Sequence, residues 1–252
     1  MKYELNSLIG QITEADCEEV LAQLPDKCVD LVLTDPPYGI DMGGNAQIKA
    51  LKSRPKWSGC KYPVSNWDSS RPSKKIFDEM RRVSKNQIVW GGNYFTDFLP
   101  VSKGWFFWDK CMAHNINFSH GEMAWTSVDT ILKLYRYSAT GISFSCEKSH
   151  PTQKPVPLFS WCLSQLSCEG DIVLDPFSGS GTTALACHTM HRRFICIERE
   201  HEYVEKSRNR LRDAQAQLSL FGPAKTEHYG SAENSIQQPQ VSITADLFEG
   251  EL

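Results

Sequence analysis

Short apolar runs alternate with helix-period segments along most of this chain. The run Val29-Asp30-Leu31-Val32-Leu33-Thr34 is rich in β-branched and aliphatic residues and reads as a buried strand. Comparable runs lie at 9–15, 87–90, 105–108, 122–125, 131–136, 171–174 and 193–197. Between them the spacing predicts helices from just after Cys17 to about Leu24, over 73–83, from about Val156 to Leu166, from Thr182 to about Met190 and from His201 to about Leu218. In the second of these, Ile76, Phe77, Met80 and Val83 fall on one face. The prolines before Val156 favour a helix start there. Strands alternating with helices predict a doubly wound, mostly parallel sheet, whose ligand sites lie at the carboxyl ends of its strands.

Three segments break this rhythm. Residues 39–71 are too rich in Gly, Pro, Lys and Ser for a packed element, and a loop of that length in a compact domain is usually functional. Residues 111–121 and 140–148 are polar and irregular, and the stretch from 222 onward has few large apolar residues and reads as disordered. With 252 residues and 40% hydrophobic content, one α/β domain is expected, with no apolar run of membrane-spanning length. The first residues lack the apolar core of an export signal, and the nine cysteines show no Cys-x-x-Cys spacing, so a reducing cytoplasm is expected. His188 and His191 near Cys187 share one helix and are read as packing and surface, so no metal is expected.

The net charge of −3 is unevenly placed. Residues 222–252 carry one lysine against five acids, whereas 41–75 carry eight basic residues, among them Lys49, Lys52, Arg54, Lys56 and Lys61, against Asp41 and Asp68. A local excess of that size offers phosphates a docking surface and makes binding salt-dependent.

Two stretches carry candidate chemistry. The strand 29–34 delivers Asp35-Pro36-Pro37-Tyr38: an acid, a rigid turn and a flat ring. The strand 171–174 leads into Asp175-Pro176-Phe177-Ser178-Gly179-Ser180-Gly181-Thr182, whose glycines let backbone approach a ligand closely. The same glycines fit a dinucleotide fingerprint, but a dehydrogenase leaves Asp35 to Tyr38 unexplained.

With His150-Pro151-Thr152-Gln153-Lys154-Pro155 just before the glycine strand, this order of motifs resembles the permuted (β) group of S-adenosylmethionine-dependent DNA amino-methyltransferases. The resemblance spans about residues 9–218 and implies a Rossmann-like class I fold with a seven-stranded sheet. It implies a catalytic domain over 1–221, with target-recognition insertions at about 41–75 and 111–149. Asp35, Pro36, Pro37 and Tyr38 would act on the extruded base: Asp35 and the Pro36 carbonyl accept from its amine, and Tyr38 stacks against it. Asp16, Cys17, Asp35, Asp175 to Thr182, Glu198 and Arg199 would hold S-adenosylmethionine, with Lys154 as a partner for its carboxylate. Asn93 would help shape the base pocket.

Asp35 favours N6-adenine, since N4-cytosine members more often have Ser there; no Pro-Cys occurs to support C5 chemistry. RNA or protein methyltransferases and a catalytically silent DNA-binding module are the competing classes. The expected partner is double-stranded DNA in a bacterial or phage-infected cell. The oligomeric state is left open by the sequence, with a homodimer as one option because members of the resembled family often pair. Gln217, Leu218, Leu220 and Phe221 resemble a sliding-clamp docking peptide, although the same residues can simply staple the last helix to the core.

Overall fold

The computed structural model describes residues 2–40, 68–112, 119–138 and 153–221. Eight strands form one sheet: β1 Gln11–Glu14, β2 Val29–Thr34, β3 Ser84–Trp90, β4 Trp105–Asp109, β5 Gly121–Thr126, β6 Lys133–Arg136, β7 Ile172–Asp175 and β8 Arg193–Glu198. The helices are α1 Leu5–Leu8, α2 Cys17–Leu21, α3 Lys74–Val83, α4 Val156–Leu166, α5 Thr182–Thr189 and α6 His201–Phe221. The strand order in space is β1-β8-β7-β2-β3-β5-β4-β6. The pairs from β1 to β3 are parallel, and β5 enters antiparallel between β3 and β4.

The sheet therefore has one strand more than the expected seven. The apolar runs themselves number eight, and the run at 131–136 forms β6, which pairs in parallel with β4 at the edge. Within the expected 111–149 insertion, 121–126 and 133–136 are strands of the sheet itself. Helix α1 was not foreseen; Gly10, at φ 78, turns the chain from it into β1. The last helix continues to Phe221, past the expected end at Leu218.

Strand alternation builds a core on each face. Leu31 and Leu33 of β2 point to the side covered by Leu158, Leu163, Ala186 and Val204 of α4, α5 and α6. Val32 points to the other side, where Val20, Phe77 and Met80 of α2 and α3 pack, and Val29 at the start of the strand joins that cluster. All four apolar residues predicted for one face of α3 are buried. Both faces of the central strands are covered, so these strands read as continuous apolar runs. The carboxyl ends of β1, β8, β7 and β2 then lie side by side, bringing Asp16, Glu198, the glycine loop and Asp35 along one rim.

Candidate active site

Along that rim opens a cavity of about 1010 Å³, lined at one end by Asp16, Phe177 and Glu198 and at the other by Asp35, Tyr38 and Asn93. The glycine loop is held from three directions. Gly181, at φ 78, caps α5, and a Cβ there would lie 2.6 Å from that of Ser207 in α6. The Gly179 amide donates to Glu198 Oε2 at 2.8 Å, and Arg210 of α6 donates to the Ser180 carbonyl. Burial raises the Glu198 carboxyl above its usual range, against the pull of its backbone donors. Asp16 caps α2, accepting from the Glu18 amide at 2.8 Å.

Asp175 is 3% exposed and ties the glycine loop to its neighbours. It accepts from Thr34 at 2.7 Å, from the Phe177 amide at 3.1 Å and from the Thr183 hydroxyl. Burial outweighs these donors and pushes its carboxyl up to about 6.

At the other end the Tyr38 hydroxyl donates to Asp35 Oδ1 at 2.5 Å, and the Lys154 ammonium lies 2.6 Å from Oδ2. Burial raises Asp35, while Lys154 opposes it. Tyr38 stacks on Tyr94, centroids 4.7 Å apart and planes at 15°, and its ring rests against Gly91. At φ 67, Gly91 also turns the chain into the turn carrying Asn93, which is exposed beside the cavity.

The sequence assigned Lys154 to a cofactor carboxylate. In the structure its ammonium pairs with two protein carboxylates, Asp35 and Glu122, the latter at 2.8 Å, and it lines the cavity. Glu122 also pairs with Lys110 at 2.5 Å. Neither Glu122 nor Lys110 was found from sequence, where each is one more charge at a strand end. Only the antiparallel entry of β5 brings Glu122 to the rim. Arg199 lines the cavity and pairs with Glu200. Lys49, Lys52, Arg54, Lys56, Lys61, His150 to Thr152 and the 222–252 tail lie outside the described residues, as do the side chains of 217–221. Among the described residues no group of three or more His, Cys, Asp or Glu could hold a metal, and no helix is long and apolar enough to cross a membrane.

An open, mostly parallel sheet with a glycine loop and a strand-end acid on one rim is the Rossmann-like fold of class I methyltransferases. The DNA methylase family of N6 and N4 methyltransferases matches over residues 102–209. The chain is 24% identical to Type II methyltransferase M.HinfI of Haemophilus influenzae over 84% of its length and 71% of that protein. It is 25% identical to Type II methyltransferase M2.MboI of Moraxella bovis, over 80% of its length and 87% of that protein. Among solved structures, M1.HpyAVI in complex with S-adenosylmethionine superposes with a TM-score of 0.53 at 27% identity, covering 80% of this chain and 98% of that one. The putative DNA modification methylase TTHA0409 of Thermus thermophilus shares the fold, with a TM-score of 0.51 at 18% identity over 81% and 95% of the two chains. The chain is thus similar to DNA amino-methyltransferases of the N6-adenine and N4-cytosine family, with the family match confined to residues 102–209.

Proposed function

We propose that the chain methylates the N6 amine of adenine in double-stranded DNA. The reading rests above all on Asp35, held at the end of β2 beside the Tyr38 ring, in the cavity that also contains the glycine loop.

The cavity suits S-adenosylmethionine in size and chemistry, at the upper end of the several-hundred-Å³ range usual for ligand pockets. A Cβ on Gly179 would meet nothing closer than the Phe177 carbonyl at 4.0 Å, so the loop presents open backbone. Glu198 would accept from the ribose hydroxyls, Asp16 would contact the adenine, and Cys17 and Phe177 would pack beside it. When bound, S-adenosylmethionine supplies an electrophilic methyl on its sulfonium.

The exocyclic amine of adenine is a poor nucleophile because its lone pair is conjugated into the ring. A carboxylate has about four lone-pair sites, so Asp35 can accept one amine N–H while keeping Tyr38 and Lys154. The Pro36 carbonyl, aimed by two restricted residues, would accept the other. Together they would draw the nitrogen towards a pyramidal, more nucleophilic geometry. The Tyr38 face would hold the extruded base by stacking, worth about 1–3 kcal/mol. Positioning and electrostatics are then the main catalytic levers. The basic residues of 41–75 would supply the phosphate contacts, with target recognition shared by the connections within 111–149.

Nucleoside mass spectrometry on DNA from methylation-deficient cells tests the reading. N6-methyladenine is expected from cells expressing the chain and not from those expressing Asp35→Ala. N4-methylcytosine, the second reading within the family, would keep the mechanism and change the base.

A further inference from the structure

Three charged side chains stand in line behind Asp35. The Lys154 side chain is 6% exposed, and its ammonium bridges Asp35 and Glu122 at 2.6 and 2.8 Å. Glu122 in turn holds Lys110 through its other oxygen at 2.5 Å. Four alternating charges thus converge from four places: the end of β2, the segment before α4, the second residue of β5 and the residue after β4.

Taking ions out of water costs several kcal/mol each, and apolar replacements of buried ion pairs are often no less stable. Neutralising Asp35 needs only Lys154, so fold stability alone gives little reason to draw Glu122 and Lys110, each half-buried, into the same cluster. What Glu122 adds is a second fixed point for the ammonium. Anchored on one side by Glu122, Lys154 presses on Asp35 Oδ2 while the Tyr38 hydroxyl occupies Oδ1. The carboxylate plane is then set by donors on both oxygens.

We propose that Glu122 is a positioning residue for methyl transfer: backed by Lys110, it holds the Lys154 ammonium on Asp35 and so keeps that carboxylate aimed at the amine. The inference rests on the reading of Asp35 as the amine's acceptor. Among the described residues, Lys154, Glu122 and Tyr38 are the charged and titratable groups facing Asp35, with Asp175 of β7 beyond Thr34. Glu122 opposes ionisation of Asp35 and Lys154 favours it.

The test measures the single-turnover methyl-transfer rate on methylation-free genomic DNA against pH, with S-adenosylmethionine affinity by calorimetry and a melting curve for each variant. Glu122→Gln is expected to lower the plateau rate about tenfold, within what loss of a preorganised group costs, and to leave cofactor affinity within about twofold. Removing a negative charge makes Asp35 easier to ionise, so the acid limb should move to lower pH by about half a unit or more. Lys110→Met removes a positive charge instead and should move the limb to higher pH by a smaller amount. General loosening of the site would not shift the limb in opposite directions.

A Glu122→Gln rate within twofold of wild type would overturn the proposal, as would a lower rate with a lowered melting temperature and an unmoved limb. If Glu122→Gln does not fold, Lys110→Met decides by whether its limb moves. Asp35→Asn separates the two levels. Wild-type turnover in that variant would sink the reading of Asp35, whereas an inactive Asp35→Asn beside an unaffected Glu122→Gln would sink this inference alone.

Discussion

Thr34 donates its hydroxyl to Asp175 across 2.7 Å, joining two residues that lie 141 positions apart in sequence. The bond links the strand that ends in Asp35 to the strand that opens the glycine loop. Both residues are buried, so neither group can turn to water instead. Thr34→Val keeps the shape and removes the donor. It should lower stability by about 1–3 kcal/mol, the usual cost of leaving a buried acceptor short of a partner. Urea unfolding measures this directly, and an unchanged midpoint would remove the bond from any structural role.

Gly91 forms the floor under the Tyr38 ring. A Cβ at this position would lie 2.1 Å from Tyr38 Cε1, and φ 67 already disfavours any side chain. Gly91→Ala should therefore displace the ring and cut single-turnover methylation by at least about tenfold, as misplaced reacting groups do. Cofactor affinity, read by calorimetry, should stay within about threefold because the glycine loop lies elsewhere on the rim.

Glu198 gives the complementary result. One oxygen accepts from Gly179 and the other from the Glu200 amide at 2.9 Å, so its carboxylate is fixed at the predicted ribose end. Glu198→Gln keeps the size and removes the charge. Hydrogen bonds to charged groups contribute about 1.5–3 kcal/mol, so the cofactor Kd should rise about tenfold or more. A Kd within twofold of wild type would place the ribose elsewhere.

Acid should erase the contribution of Glu122 to stability. Burial pushes its carboxyl up, but the Lys154 and Lys110 ammonium groups outweigh this and hold it at about 2. A carboxyl depressed in the fold stabilises it fully above its unfolded value, near 4.5, and loses that contribution as pH falls through about 2. Glu122→Gln should accordingly be less stable than wild type at pH 7, by about 2–3 kcal/mol. In urea titrations the gap should narrow steadily below pH 4.5.

The strands were legible because their central members are covered on both faces. Val29–Thr34 and Val156–Leu166 form with the expected bounds, one from an apolar run between turns and the other from a proline start. The site was legible where it follows a strand end, as Asp35, Asp175 and Glu198 do. It was illegible where it depends on strand direction. Glu122 occupies the second position of β5, and in a parallel strand that position would lie at the opposite end of the sheet. Lys154 was singled out, but its partners were not, since ion pairing between distant segments leaves no periodic trace. The edge strand Lys133–Arg136 was legible as the run 131–136; the count of seven came from the resemblance, not from the apolar runs, which number eight.

The strand order also has a consequence for how the chain folds. Strand β1 pairs with β8 and β2 with β7, so the middle of the sheet is filled by its last two strands. During synthesis β1 has no partner, and one edge of β2 stays open, until β7 and β8 emerge. Late, long-range closure of this kind slows folding and leaves strand edges available to other chains. A nascent chain stalled before residue 172 would hold Asp35 and Tyr38 on a sheet still missing the two strands that join β1 to β2.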